Sequence, residues 1–225
     1  MTARAAVAEG IATALLLIAV VGSGIMAERL SGGNMGLALL ANALATGAAL
    51  FALIVTFAHQ SGAHMNPLVT VMAAIGGEFS WSRVPAYIVA QVIGAIGGVW
   101  IAHAMFAMPI VEFSHHQRSS IGQWIAEAVA TFGLLVVIKG AAKLGIQTVA
   151  GAVAAYITGA YWFTSSTSFA NPAVTLARSL TDSFAGIRPA DAPGFILAQI
   201  AGLAAALAWT RVTRSTDVLS QKFER

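Results

Sequence analysis

Two asparagine–proline pairs are the residues of this sequence whose chemistry is easiest to define. Asn66-Pro67 and Asn171-Pro172 each follow a polar stretch that contains Gly, Ser or Thr. Asn is favoured at the N-cap of a helix and Pro at its first position, so each pair predicts a helix start. A side-chain amide placed there can donate hydrogen bonds to the oxygen atoms of an uncharged solute. For either pair taken alone, capping its own helix is the simpler role.

The helix that follows each pair is too short to cross a bilayer. Asn66 to about Gly77 is roughly 12 residues, or about 18 Å of helix, whereas the hydrocarbon core is about 30 Å thick. The stretch from Asn171 to about Thr181 is its counterpart. If they enter from opposite faces, the two half-helices meet near the midplane, where their positive N-terminal ends oppose cations and relayed protons.

The composition places the whole chain in lipid. Of the 225 residues, 58% are hydrophobic and 9% are charged, against about 25% charged residues in soluble domains. Six charge-poor segments are long enough to cross the membrane as helices. They are residues 6–27, 37–58, 85–107, 122–142, 147–166 and 193–212. We therefore predict one membrane domain over residues 1–225.

The two halves of the sequence repeat one pattern. Residues that match in the same order are Glu9 and Glu127, Asn66 and Asn171, and Gln91 and Gln199. Each half, about 1–110 and 120–225, holds three spans and one Asn-Pro pair. Because three is odd, the second half enters the membrane from the opposite side, which predicts an inverted repeat. Equivalent positions in inverted halves favour a shared pore role for the two pairs over capping alone.

Lysine and arginine residues are distributed unequally between the two faces. Eight lie on the face that holds both termini, namely Arg4, Arg83, Lys139, Lys143, Arg211, Arg214, Lys222 and Arg225. Four lie on the other face, namely Arg29, Arg118, Arg178 and Arg188. The positive-inside rule therefore predicts cytoplasmic termini. The net charge of +3 follows from this asymmetry, so it does not indicate nucleic-acid binding.

No residue pattern indicates an enzyme, a cofactor or a resident metal. The chain has no Cys, which excludes disulfides and thiolate metal sites. His103, His115 and His116 do not have the spacing of helix-borne metal ligands, and no nucleophile is paired with a base. A coupled secondary transporter, the alternative from another functional class, also uses inverted repeats, but it needs an ionisable group at its substrate site.

The residues around both pairs resemble those of the major intrinsic proteins, the aquaporins and aquaglyceroporins, over almost the entire chain. The matching runs are Ser61-Gly62-Ala63-His64-Met65-Asn66-Pro67-Leu68-Val69-Thr70, where Leu68 replaces the usual Ala, and an intact Asn171-Pro172-Ala173. The resemblance implies an all-α membrane fold of six transmembrane helices plus two half-helices, arranged as an inverted repeat. It also implies a homotetramer in the bacterial inner membrane, with a pore in each chain.

The same resemblance implies roles for individual residues. The two boxes that form the pore constriction are Asn66, Pro67 and Leu68, and Asn171, Pro172 and Ala173. Glu9 and Glu127 would brace the irregular loops that precede the half-helices, because an acidic residue inside a span is expected to have a function. His64 would lie in the loop that lines the inner pore.

Water-selective members of the family narrow the outer pore with an aromatic residue, a His, a small residue and an Arg. Counted from the boxes, the equivalent residues here are Thr46, Gly159, Ser168 and Val174. None of these is bulky or charged. The resemblance therefore implies a wide outer filter that admits small uncharged polyols and hydroxides.

The lack of Arg at position 174 makes the second box similar to that of the bacterial AqpS-type channels. That resemblance implies passive passage of arsenite as As(OH)3, and of methylated arsenicals, glycerol and water. Without Cys, the pore has no thiolate to trap As(III). A water-selective aquaporin and a general glycerol or urea facilitator are the alternatives within the family.

Arg178 follows Val174 by four residues, which places it on the same helix face about one turn further out. We expect Arg178 in the outer vestibule, where it attracts polar or oxyanionic solutes. The alternative is an interfacial cation that extends to the lipid headgroups.

Overall fold

The computed structural model describes residues 2–223, with side chains described from residue 3 to residue 213. Its α-helices in chain order are α1 (Thr2–Leu30), α2 (Met35–Ser61), α3 (Pro67–Ile75), α4 (Val84–Met105), α5 (Ile121–Ala141), α6 (Ile146–Phe163), α7 (Pro172–Arg178) and α8 (Ala192–Phe223). Every regular element within residues 2–223 is helical, which confirms the predicted all-α class. The side chains of Arg214, Lys222 and Arg225, whose charges contribute to the predicted orientation, lie outside the described residues.

Six long helices lie at the six predicted spans: five match at both ends to within four residues, and α8 begins as predicted but continues eleven residues beyond residue 212. Five of them are long and apolar enough to cross a membrane: α1, α2, and the segments Trp81–Met105, Ile121–Leu144 and Pro189–Thr213. The helix outside this set is α6, which has 18 residues. Gln147, Thr148 and two tyrosines make it more polar than the others, and it packs against α2 and α5 inside the bundle.

The order of elements is the same in both halves. A long helix, a second long helix, a short helix and a third long helix occur as α1 to α4 and again as α5 to α8. The packing is also equivalent, because α1 packs most extensively on α4, and α5 on α8. The halves join mainly where α2 packs against α6.

Glycines let α1 and α4 approach until their backbones touch. A Cβ atom added to Gly94 would lie 2.1 Å from the carbonyl oxygen of Gly10, and one added to Gly98 would lie 2.4 Å from that of Ala14. Small residues of this kind are how membrane helices pack closely without bulky side chains. Gly97, one turn from Gly94, has no such neighbour within 4 Å.

The two short helices begin at the predicted Asn-Pro pairs. Asn66 and Asn171 both have extended backbones, with φ of −156° and −161°, and each caps its helix through its side-chain oxygen. The helices are shorter than predicted, with nine residues in α3 and seven in α7. Each contacts a long helix of the opposite half, α3 against α8 and α7 against α4.

Candidate functional site

A cavity of about 440 Å³ is lined by residues at the start of both half-helices. One wall is the face of α6 that carries Ile146, Val149, Val153, Ile157 and Tyr161. Tyr161 lies about 15 positions after Ile146, which corresponds to roughly 22 Å of helix, or most of a bilayer's hydrocarbon thickness. Asn66 and Asn171 both line the cavity as well.

The two asparagines bind each other's loops. The side-chain nitrogen of Asn66 donates to the Ala170 carbonyl, and that of Asn171 donates to the Met65 carbonyl, both at 2.7 Å. Their side-chain oxygens accept backbone N–H groups of their own helices, from Leu68 at 2.9 Å and from Ala173 at 3.0 Å. Because an amide nitrogen carries two hydrogens, each asparagine keeps one donor for the cavity.

The residues that accept those bonds have unusual backbones. Met65 and Ala170 both have φ of 48°, in the left-handed region that non-glycine residues rarely adopt. Their backbone N–H groups donate to buried glutamates, Met65 to Glu9 and Ala170 to Glu127. Such a conformation persists only where surrounding contacts impose it, and here the glutamates and asparagines supply those contacts.

The two glutamates do not brace their loops equally. Glu127 accepts from Ser166 Oγ at 2.6 Å, from the backbone N–H groups of Phe169 and Ala170 at 2.8 and 2.9 Å, and from Gln199 Nε2 at 2.6 Å. Glu9 accepts from the Met65 N–H and from Gln91 Nε2 through one oxygen, Oε1. Its Oε2 is buried without a protein partner among the described residues.

His64 lines the cavity at the end beside the loop that follows α3. Its Nδ1 is 3.1 Å from Thr70 Oγ1, and its ring packs edge-on against Phe79 at 5.2 Å between centroids. Glu78 and Lys139, which form an ion pair, line the same end. The ring is therefore fixed by neighbours, as expected for a residue of a pore-lining loop.

Three of the four predicted filter residues line the cavity, namely Thr46, Ser168 and Val174. Gly159 is not among the lining residues; Tyr161, two positions later on α6, lines the cavity instead. The residues of α6 that line the cavity recur every three or four positions. Gly159 lies two positions after Ile157, so it is on a different face of the helix. The outer wall is therefore bulkier than the sequence predicted.

The hydroxyl groups of Thr46 and Ser168 differ in their contacts. Thr46 Oγ1 lies 3.2 Å from the hydroxyl oxygen of Tyr161. Ser168 lines the cavity, but its Oγ is buried and has no hydrogen-bond partner among the described residues. Tyr161 could have been found from the sequence, because it continues the period of apolar residues along α6.

Arg178 is buried rather than placed in an open vestibule or at the lipid headgroups. Its relative exposure is 2%, and its guanidinium carbon lies 3.4 Å from the centroid of the Phe169 ring. Its Nε donates to the Ala185 carbonyl. The residue lines the cavity, so the wall carries a positive charge that the predicted filter lacked.

A second arginine fixes the loops outside α7. Arg118 Nε donates to the Gly186 carbonyl at 2.8 Å and its Nη1 to the Ser166 carbonyl at 3.1 Å, while its guanidinium lies 5.2 Å from the Phe169 ring centroid. Burial lowers the pKa of this guanidinium from its ordinary value. No motif in the sequence marked Arg118 or Phe169 for these contacts.

The outer loops are also joined by an acidic residue. Asp182 accepts from the His115 backbone N–H at 2.8 Å and lies 3.0 Å from its Nδ1. The backbone hydrogen bond from His115 lowers the pKa of this carboxyl. Within the part of the chain that the structure describes, no three His, Asp or Glu side chains are grouped to hold a metal ion.

Known proteins share both the sequence and the architecture. The family described as major intrinsic protein matches residues 1–163. Aquaglyceroporin AqpS of Rhizobium meliloti (strain 1021) is 49% identical over 208 residues, which cover 92% of this chain and 89% of that protein. Probable aquaporin NIP7-1 of Arabidopsis thaliana is 30% identical over 69% of this chain and 56% of its own length.

The architecture matches that of a solved structure. The aquaglyceroporin from Plasmodium falciparum superposes with a TM-score of 0.71, covering 94% of this chain and 95% of that one. At 22% identity, this similarity concerns the fold.

Proposed function

We propose that this chain, which belongs to the major intrinsic protein family, is a wide-pored passive channel that conducts arsenite as As(OH)3, together with methylated arsenicals, glycerol and water. Members of the family are channels and not enzymes, and the chain is an aquaglyceroporin-type membrane protein.

The observation that carries the proposal is a cavity with one polar and one apolar side. The asparagine amides offer donors on one side, while Val149, Val153 and Ile157 offer hydrocarbon on the other. A polyol or a neutral trihydroxide presents oxygen atoms as acceptors, and a polyol also has a hydrocarbon backbone to place against the apolar wall. Val174 supports this assignment, because it places a neutral side chain where a water filter has Arg.

The identity to AqpS supports the wider solute range. That relative is named an aquaglyceroporin, and the identity covers 92% of this chain. Undissociated arsenite is uncharged and has three hydroxyl groups, so it resembles a small polyol in its hydrogen bonding. A pore without Cys does not retain it.

One observation favours the water-selective alternative. Tyr161 and Arg178 both line the outer part of the cavity. An aromatic ring and a guanidinium, the two groups that the sequence-based filter lacks, are therefore present there. Their spacing from the second box differs from that of a water filter. The two readings therefore predict opposite results for glycerol and arsenite.

The assembly and orientation are proposed on the same basis. The two inverted halves, about 1–110 and 120–225, form one channel domain with both termini in the cytoplasm of the bacterial cell. Four chains form a homotetramer in the inner membrane, with lipid and neighbouring subunits covering exposed apolar residues such as Leu37, Leu40 and Leu44. The solute is small and neutral.

Stopped-flow light scattering on proteoliposomes tests the function. The proposal expects rapid flux of water and glycerol and uptake of arsenite, each independent of proton and sodium gradients. Val174→Arg is expected to abolish glycerol and arsenite flux while water flux persists, and Val174→Leu, a control without charge, retains all three. Fast water flux with exclusion of glycerol and arsenite by the unaltered protein would establish the water-selective alternative.

A further inference from the structure

The charges that line the cavity are unequal in sign. Two basic side chains, Lys139 and Arg178, are among its lining residues. Both half-helices also begin at the cavity, at Asn66 and Asn171, and the N-terminal end of a helix carries roughly half a positive charge. Basic groups that line a pore favour anions. A channel for uncharged solutes therefore needs a group that opposes anions.

Glu78 is the one carboxylate among the lining residues that the structure describes. It lies in the turn that follows α3, where its backbone N–H donates to the Ala73 carbonyl at 2.9 Å. Its side chain is 56% exposed, whereas that of Lys139 is 20% exposed. Because Glu78 both lines the cavity and is exposed, the cavity opens to solvent beside it. The carboxylate is the more accessible charge at that opening.

Lys139 is held beside Glu78 by two kinds of negative charge. Its Nζ donates to Glu78 Oε1. The same Nζ lies near the C-terminal end of α3, since a Cβ atom added to Gly76 would be 3.2 Å from it and 3.3 Å from the Met72 carbonyl oxygen. The C-terminal end of a helix is partly negative and stabilises a cation. We therefore expect the ammonium group to stay at the opening when a neutral residue replaces Glu78.

We propose that Glu78 is a specificity-determining residue that excludes anions at this opening. Its carboxylate offsets the charge of Lys139 and presents a negative charge to the solvent. An anion is repelled by that charge, whereas a solute without net charge interacts with it only weakly. Glu78 then separates an undissociated hydroxide from the oxyanions of the same element. This inference rests on the proposed channel function.

The test measures chloride entry into proteoliposomes that contain lucigenin, a dye quenched by chloride, with valinomycin and potassium to balance the charge. The chloride permeability is divided by the water permeability of the same vesicles. Glu78→Gln removes the charge and keeps the size of the side chain. The chloride-to-water ratio is expected to rise about fivefold, as the loss of one repulsive charge a few ångströms away in water predicts.

Two further variants distinguish charge from packing. Lys139→Gln breaks the same ion pair but keeps the carboxylate, so its chloride-to-water ratio is expected not to rise. Glu28→Gln is the matched control at the end of α1, outside the cavity lining. Glu28 accepts from the Phe184 N–H at 3.1 Å, which the amide oxygen of a glutamine can still accept. Its ratio is expected to equal that of the unaltered protein.

The outcomes separate this inference from the channel function itself. Unaltered protein without water or glycerol flux would contradict the channel. With flux present, an unchanged chloride-to-water ratio in Glu78→Gln would overturn the role of Glu78. An equal rise in Glu78→Gln and Lys139→Gln would overturn it too, because the lost ion pair and not the lost carboxylate would then cause the leak. Should Glu78→Gln give no water flux, Glu78→Ala takes its place and is judged by the same two comparisons.

Discussion

Glu127 and Glu9 occupy equivalent places in the two halves, yet their oxygens are used differently. Both oxygens of Glu127 accept backbone N–H groups, from Phe169 on one side and from Ala170 on the other. Whichever way a glutamine is placed at position 127, its NH2 group therefore faces a buried N–H donor. In Glu9 the oxygen Oε2 has no partner in the described chain, so an NH2 group there breaks no hydrogen bond.

We accordingly expect Glu127→Gln to destabilise the protein more than Glu9→Gln. An orphaned buried donor costs about 1–3 kcal/mol, so Glu127→Gln is expected to lower stability by about 2 kcal/mol or more, and Glu9→Gln by less than about 1 kcal/mol. Thermal unfolding in detergent, followed by fluorescence of the five tryptophans, measures both. Equal unfolding midpoints for the two variants would show that the difference in bonding has no energetic weight.

At the scale of single residues, the sequence predicts backbone positions better than side-chain directions. The cap residues and the glutamates have recognisable chemistry at fixed spacing, and the structure places them at the half-helix starts and their loops. Counting from the box assigns Gly159 to the filter, but a helix turns by about 100° per residue, so a count through a loop does not determine which helix face lines the cavity. The direction of Arg178 depends on Phe169, a contact that no local pattern encodes.

At the scale of elements, the contact between α1 and α4 depends on glycine. We expect Gly94→Ala to force these helices apart, because the new Cβ would lie 2.1 Å from the Gly10 carbonyl oxygen, which cannot move by itself. Overpacking of this kind costs about 1–3 kcal/mol. Gly97→Ala, on the same helix with nothing within 4 Å, is the matched control and is expected to stabilise the protein by about 0.5–1 kcal/mol.

The two variants are compared by their unfolding midpoints in detergent. A decrease in the midpoint of Gly97→Ala as large as that of Gly94→Ala would contradict the packing argument.

The elements themselves follow largely from the sequence. Hydropathy locates six long helices because lipid requires long apolar segments, and Asn-Pro locates the two short ones because capping is local. The sequence does not distinguish the three glycines of α4. Whether Gly94, Gly97 or Gly98 faces α1 depends on how the helix is rotated about its axis in the bundle. Rotation is a property of packing, and the low amphipathicity of a chain that is apolar on every side gives little signal for it.

At the scale of the whole molecule, contacts show which helix ends share a face. Lys139 pairs with Glu78, so the end of α5 and the loop after α3 lie together. Arg29 donates to the Phe106 carbonyl at 3.0 Å, so the ends of α1 and α4 lie together on the other face. Arg178 is buried in the cavity wall, so its charge is not exposed on the face opposite the termini. The difference in Lys and Arg number between the two faces is therefore larger than the sequence count, in favour of the face with Arg83, Lys139 and Lys143.

This asymmetry predicts the orientation of the channel by the positive-inside rule, and the absence of Cys makes it measurable. Ser82 and Gln117 are exposed on opposite sides of α4, one before it and one after it. In spheroplasts of a bacterial host, a membrane-impermeant maleimide is expected to label Gln117→Cys and to spare Ser82→Cys until detergent opens the membrane. Both residues lie outside the cavity lining, so solute flux is expected to be retained. Labelling of Ser82→Cys alone in intact spheroplasts would place the termini outside, and labelling of both would mean that neither loop is consistently cytoplasmic.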